Sequence, residues 1–207
     1  MLKISYWLFF FSTCVLLGCV NNEDIIEPID PDVQFEENIA DITEFFEEKE
    51  LSVVDTTTNG VRYSITSMAA DTADTAKIGD IIVLEYVAYR LDGSLLGTNM
   101  QAVVDTTDLL SSPGDPIIIT HSVSGWAFDE LFNQVAGAYT TSGFRIGVTT
   151  VLNEGHNGIP DFRVGDRATL GVPARETTVI ISGVFTRLGG IPNDVIIYEF
   201  SLTDVIR

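Results

Sequence analysis

The feature that most restricts the fold is a change of hydrophobic period near Asn59-Gly60. Before it, Phe35, Ile39, Ile42 and Phe46 recur at helical spacing among Glu36, Glu37, Glu44, Glu47 and Glu48, which predicts an amphipathic helix up to about residue 50. Its apolar stripe needs a surface, either on its own domain or, alternatively, across a dimer contact. After the change the period is two: Val61, Tyr63 and Ile65 alternate with Arg62, Ser64 and Thr66. The apolar run at 81–89, closed by an Asp92-Gly93 turn, reads as a central strand buried on both faces. Ala168, Leu170 and Val172 form another alternating strand, and Ile196, Tyr198, Phe200 and Leu202 a last one. Between these, Gly125-Trp126 opens a stretch in which Ala127, Leu131 and Val135 recur every four residues beside Phe128 and Phe132, predicting one short helix. One short helix among antiparallel strands, with an amphipathic helix in front, defines an α+β class.

The first residues carry an address rather than a fold. Lys3 precedes an almost wholly apolar stretch at 4–17, and Leu16-Leu17-Gly18-Cys19 follows at once. The apolar run is shorter than the roughly 20 residues that a spanning helix needs. Leu-Leu-Gly-Cys resembles the lipobox of bacterial lipoproteins, which implies cleavage after residue 18 and lipid on Cys19, a membrane anchor. Residues 19–34, rich in Asn, Asp and Glu with Pro28 and Pro31, read as an acidic tether leading to the helix and connection at 35–58. Cys14 leaves with the signal and Cys19 is acylated, so no thiol remains for a disulfide, a nucleophile or a metal. The formal charge of −19 opposes phosphate backbones, so nucleic acid is excluded as a partner. The address is the bacterial cell envelope, lipid-anchored at the outer membrane.

Sequence patterns for other chemistries are absent. His121 and His156 lie far apart and make no metal set, so none is expected. Asp105, Asp108 and Asp115 lack the order of a calcium loop. Ser124 sits in Ser-Gly-Trp without the flanking glycines of a nucleophile elbow.

Eight short blocks do fall in a telling order: Gly60-Val61-Arg62-Tyr63, Ile78-Gly79-Asp80, Val83-Leu84-Glu85-Tyr86, Leu91-Asp92-Gly93, Val123-Ser124-Gly125-Trp126, Val164-Gly165-Asp166-Arg167-Ala168, Val172-Pro173 and Ile191-Pro192-Asn193. Together they resemble the FKBP-type peptidyl-prolyl cis-trans isomerases over residues 59–207, with an insertion at about 137–162. The resemblance implies a curved antiparallel sheet wrapped around one short helix, with an apolar bowl between them for a prolyl peptide. Neither metal nor cofactor enters that chemistry. Carried onto this chain, Tyr86 lines one wall, Trp126 forms the floor under the proline ring and Tyr198 stands on the opposite wall, these three being the catalytic set. Val123 offers its backbone N–H to the substrate, and Leu96 and Thr178 complete the binding residues.

Two of those positions depart from the family. Leu96-Gly97 replaces a Phe-Asp pair, removing an aromatic wall and a carboxylate, and Thr178 replaces a tyrosine. The resemblance therefore implies a membrane-anchored isomerase of weak turnover that helps proteins fold outside the cytoplasm. The alternatives are an FKBP-like module that binds proline-containing polypeptides without catalysis, and a structural surface lipoprotein.

Overall fold

A computed structural model describes residues 30–56, 59–107, 114, 116–128, 141–154, 162–181, 184–187 and 194–207, with side chains withheld at 54–56, 178–181 and 184–187. Residues 31–207 form one compact unit.

The amphipathic helix α1 runs Pro31–Glu48, starting four residues earlier than expected because Pro31 suits the first helical position and Asp32 the first turn. Its buried side chains are Asn38, Ile42, Phe45 and Phe46, so the stripe is rotated slightly from Phe35 and Ile39, which are half-buried. The helix ends in a Schellman motif: Leu51 N–H donates to the Phe46 carbonyl at 2.9 Å and Glu50 N–H to the Glu47 carbonyl at 3.0 Å. Glu50 takes the left-handed position there, with φ of 55°.

Strands follow at Val54–Thr56 (β1), Val61–Ser67 (β2), Ile81–Arg90 (β3) and Leu95–Thr98 (β4). A short helix, Gln101–Val104 (α2), precedes Ile117–Ser122 (β5) and Gly125–Phe128 (β6). Helix α3 is Ser142–Glu154, and Arg167–Val172 (β7), Thr178–Ile181 (β8), Val184–Arg187 (β9) and Ile196–Ile206 (β10) close the order. Among the described residues, eight strands form one antiparallel sheet in the order β1-β2-β7-β10-β3-β5-β6, with β4 beside β3; β8 and β9 pair separately. The expected class, α+β with a curved antiparallel sheet around one short helix and an amphipathic helix in front, is the one observed.

Several expectations differ. Gly125-Trp126 opens no helix: both lie in β6, where His121 faces Trp126 and Ile119 faces Phe128 across the ladder. Four residues of alternating side chains that begin with Gly125 at φ 116° satisfy a hairpin as well as a helix start. The continuation of that segment, residues 129–140, lies outside the described residues. Among the described residues, α3 packs on the concave side of the sheet, inside the stretch expected to be an insertion. Phe144, Val148, Val151 and Leu152 bury one face of it, and Gly143 and Gly147 let its backbone approach the sheet. A Cβ on Gly147 would stand 2.8 Å from Leu170 Cδ1.

Strand β3 is buried on one face only. Ile82, Leu84, Tyr86 and Ala88 point to the α3 side and are fully covered, whereas Val83, Glu85, Val87 and Tyr89 on the other side are half-buried. Helix α1 packs on that outer face, and its stripe meets Val195, Ile197 and Tyr89. A Cβ on Gly171 would lie 2.5 Å from Ile42 Cγ2, which shows how closely helix and strand approach. The intramolecular reading of α1 is thus the one realised.

The Gly-Asp pairs singled out in the sequence prove to be the same device used twice. Before β3, Asp80 accepts from Lys77 N–H at 2.9 Å, and Gly79 N–H donates to the His121 carbonyl at 2.7 Å. Before β7, Asp166 accepts from Arg163 N–H at 2.7 Å, and Gly165 N–H donates to the Leu202 carbonyl at 2.7 Å. Each turn ties its strand to a neighbour, and both carboxylates are buried.

Candidate functional site

The concave face beneath the start of α3 gathers aromatic rings from three elements. Register places Tyr86 opposite Phe200, with Tyr198 one inward position along β10, opposite Ala88. Phe144, in the first turn of α3, drops between them. Its ring centroid lies 4.7 Å from Tyr198, 5.9 Å from Tyr86 and 6.1 Å from Phe200, and Tyr86 and Tyr198 are 6.4 Å apart. Phe162 extends the cluster behind Phe200 at 5.7 Å. These tilted and edge-on contacts are the favoured geometries for aromatic pairs.

Polar anchors hold the cluster in place. Thr141 caps α3: its hydroxyl oxygen accepts from Phe144 N–H at 3.1 Å. The Tyr198 hydroxyl meets the same oxygen at 3.1 Å, joining the sheet to the helix start. Burial pushes the Tyr198 phenol far up from its ordinary value, the Thr141 hydrogen bond opposing that shift and the Tyr86 phenol adding to it. Tyr198 therefore acts as a neutral hydrogen-bonding group. Tyr86 is held through its backbone, whose N–H donates to the Asn99 side-chain oxygen at 2.7 Å. Asn99 Nδ2 donates to the Leu84 carbonyl at 2.9 Å. The Asn99 amide thus substitutes for a strand where β3 passes from its β4 partner to its β5 partner.

The residues expected at the site fare differently. Tyr86 and Tyr198, expected on opposite walls of a bowl, stand together at 1% and 0% exposure in a closed cluster. Leu96 is partly buried against the same core. Trp126, expected as the floor, also packs against that core. It sits half-buried on the edge strand β6, its ring stacked on His121 at 3.9 Å and its indole N–H donating to Asn153 Oδ1 at 2.9 Å. Val123 occupies the β5–β6 hairpin tip at 91% exposure, away from the buried rings. Thr178 begins β8, and its side chain lies outside the described residues. Cys19 lies outside them too.

Two residues of the cluster, Phe144 and Thr141, escape the sequence reading. A signal existed, since Ser142-Gly143-Phe144 repeats the Ser-Gly-aromatic pattern of Ser124-Gly125-Trp126 and is followed by apolar positions at helical spacing.

Among the described residues no group of three or more His, Cys, Asp or Glu side chains stands together as a metal set, and no helix is long and apolar enough to cross a membrane. No family model and no curated protein matches the chain. Solved structures with a similar fold include FkpA from Escherichia coli, with a TM-score of 0.44 and 16% identity over 84% of this chain and 62% of that one. A peptidyl-prolyl cis-trans isomerase from Pseudomonas syringae pv. tomato has a TM-score of 0.44 and 12% identity, covering 87% of this chain and 98% of that one. The three FKBP domains of wheat FKBP73 have a TM-score of 0.40 and 12% identity, covering 75% and 51%. At these identities the similarity is one of fold alone.

Proposed function

We propose that this chain is a peptidyl-prolyl cis-trans isomerase, held on the outer membrane by lipid on Cys19 and acting on proline-containing polypeptides outside the cytoplasm. The observation that carries the reading is the Tyr86–Phe144–Tyr198 cluster under the start of α3. The X-Pro amide must rotate over a barrier of about 18–20 kcal/mol that comes from its partial double bond. The twisted amide is less polar than the planar one, so an aromatic enclosure favours it. Removal of about 6 kcal/mol from the barrier accelerates rotation on the order of 10⁴-fold. In this assignment Phe144 takes the floor and Tyr86 and Tyr198 the walls, with Leu96 at the border.

The test is a cis-to-trans rate assay on a short X-Pro peptide with the full chain in mild non-ionic detergent, beside Phe144→Leu and Trp126→Ala. Acceleration lost in Phe144→Leu and retained in Trp126→Ala supports the assignment; no acceleration by a folded wild type ends the enzymatic reading. A second reading, a prolyl-peptide binder without turnover, is favoured by Leu96-Gly97 and Thr178 at family aromatic and acidic positions. Saturable peptide binding without acceleration selects it. The anchor is tested separately: labelled fatty acid incorporated by wild-type cells and not by Cys19→Ser cells is the expected outcome.

A further inference from the structure

Helix α1 covers only part of the outer face of the sheet. It packs along the row in which Arg62, Gly171, Ile197 and Tyr89 are paired across four strands. The next two rows, Thr169–Glu199–Val87 and Arg167–Ser201–Glu85, floor an open trough of about 870 Å³. One wall is the end of α1 and the residue after its cap, with Phe45, Glu48, Lys49 and Leu51; the other is the β3–β4 turn and α2, with Leu91, Asp92, Met100 and Val103. Because side chains alternate across a sheet, this trough lies on the opposite face from the Tyr86–Phe144–Tyr198 cluster.

Its chemistry is apolar at the walls and acidic overall. Glu48, Glu85, Asp92 and Glu199 stand against Lys49 and Arg167. Glu85 has no hydrogen-bond or ion-pair partner among the described residues, and Glu199 accepts only the Tyr89 hydroxyl, at 2.6 Å. Glu199 pairs with Val87, which makes Glu85 its diagonal neighbour on β3. Diagonal cross-strand residues lie about 7–8 Å apart. An extended peptide repeats a side chain on one side about every 6.6–6.8 Å, two residues of strand rise, so cations at alternate positions match the two carboxylates.

We propose that this trough binds extended polypeptide segments in which Lys or Arg alternates with apolar residues, a second polypeptide site separate from the prolyl site. The chain's own acidic stretch at 23–30 and a second copy of this polyanion carry the wrong charge for it. The site does not depend on the prolyl reading, because it requires no proline.

The probe is a fluorescein-labelled octapeptide, Leu-Lys-Val-Lys-Leu-Lys-Val-Lys, titrated by fluorescence anisotropy with the full chain in non-ionic detergent, beside a counterpart with Glu for Lys. Saturable binding of the Lys peptide alone is expected, weakened at least ten-fold by Glu85→Lys and by raising salt from about 50 to 500 mM, and unchanged by Phe144→Leu. Should Glu85→Lys unfold early, Asp92→Lys in the exposed turn gives the same sign. Equal binding of both peptides, or undiminished binding by the two charge variants, overturns the proposal. Loss of binding in Phe144→Leu moves the peptide to the aromatic cluster, and a dimer that Glu85→Lys dissociates gives the trough to a second copy; either result also overturns it.

Discussion

Truncating Phe144 to alanine tests the packing argument and the site together. The side chain is fully buried, with its ring against Tyr86, Tyr198 and Phe200. Phe→Ala in a core costs about 3–5 kcal/mol, the spread reflecting how far the surroundings collapse into the space. Collapse is obstructed here, because α3 already touches the sheet at Gly147, where even a methyl group would collide with Leu170. The three neighbouring rings are anchored on strands and cannot follow the missing one. The loss should therefore fall in the upper part of the range, about 4–5 kcal/mol, a large share of a domain's usual 5–15 kcal/mol. Urea unfolding of wild type and variant, followed by circular dichroism, measures it. A loss under about 2 kcal/mol would refute the reasoning, because it would mean that the cluster is loosely packed and refills. Phe144→Leu, which conserves most of the volume, should cost less than about 1.5 kcal/mol and so separate stability from any change in peptide turnover.

Three further outcomes follow from the geometry. Gly171→Val should lift α1 from the sheet, since its first carbon alone would press on Ile42 and Phe46, at a cost of about 1–3 kcal/mol and with faster proteolysis within Pro31–Glu48. Glu50→Gly should stabilise the protein by about 1 kcal/mol, read as a higher thermal midpoint, because the left-handed cap position at φ 55° penalises every residue with a Cβ. The Tyr63 phenol is pushed up to about 12 by burial, then by its hydrogen bond to Glu154 and that carboxylate's charge. The folded state keeps this proton between about pH 10 and 12 while the unfolded chain releases it. Stability is therefore complete below pH 10 and falls as pH rises toward 12, and Tyr63→Phe should show a shallower alkaline loss in unfolding titrations.

What the sequence disclosed and what it hid have distinct physical origins. The strands were legible because sustained alternation leaves little else to fold into, whereas Tyr86 and Tyr198 were placed by the resemblance, and it is the β3–β10 register that sets them on one face of the sheet. Helix α3 was not foreseen because a four-residue recurrence through Ala127, Leu131 and Val135 stands beside a similar one starting at Phe144, and local period gives neither precedence. Phe144 has Gly143 and Gly147 on its helical face, which allow contact with Val172 and Leu170. At residues 125–128 a positive-φ glycine follows the exposed Val123-Ser124 tip and starts strand β6 of a hairpin.

The same limit explains why neither the half-exposed outer face of β3 nor the trough was foreseen. An apolar run at 81–89 looks buried on both sides, yet its outer positions are Ile81, Val83, Glu85, Val87 and Tyr89, and the lone carboxylate among them is the mark of a face that meets solvent or a partner. Whether α1 reaches far enough to cover Glu85 depends on where that helix stops, and the stop is set by Glu50 in a conformation that no side-chain pattern announces. A helix one turn longer, carrying its stripe onward from Phe46, would roof Val87 and Glu199 and close the trough. The end of α1 therefore sets the extent of open sheet on one face, while the start of α3 sets the aromatic enclosure on the other.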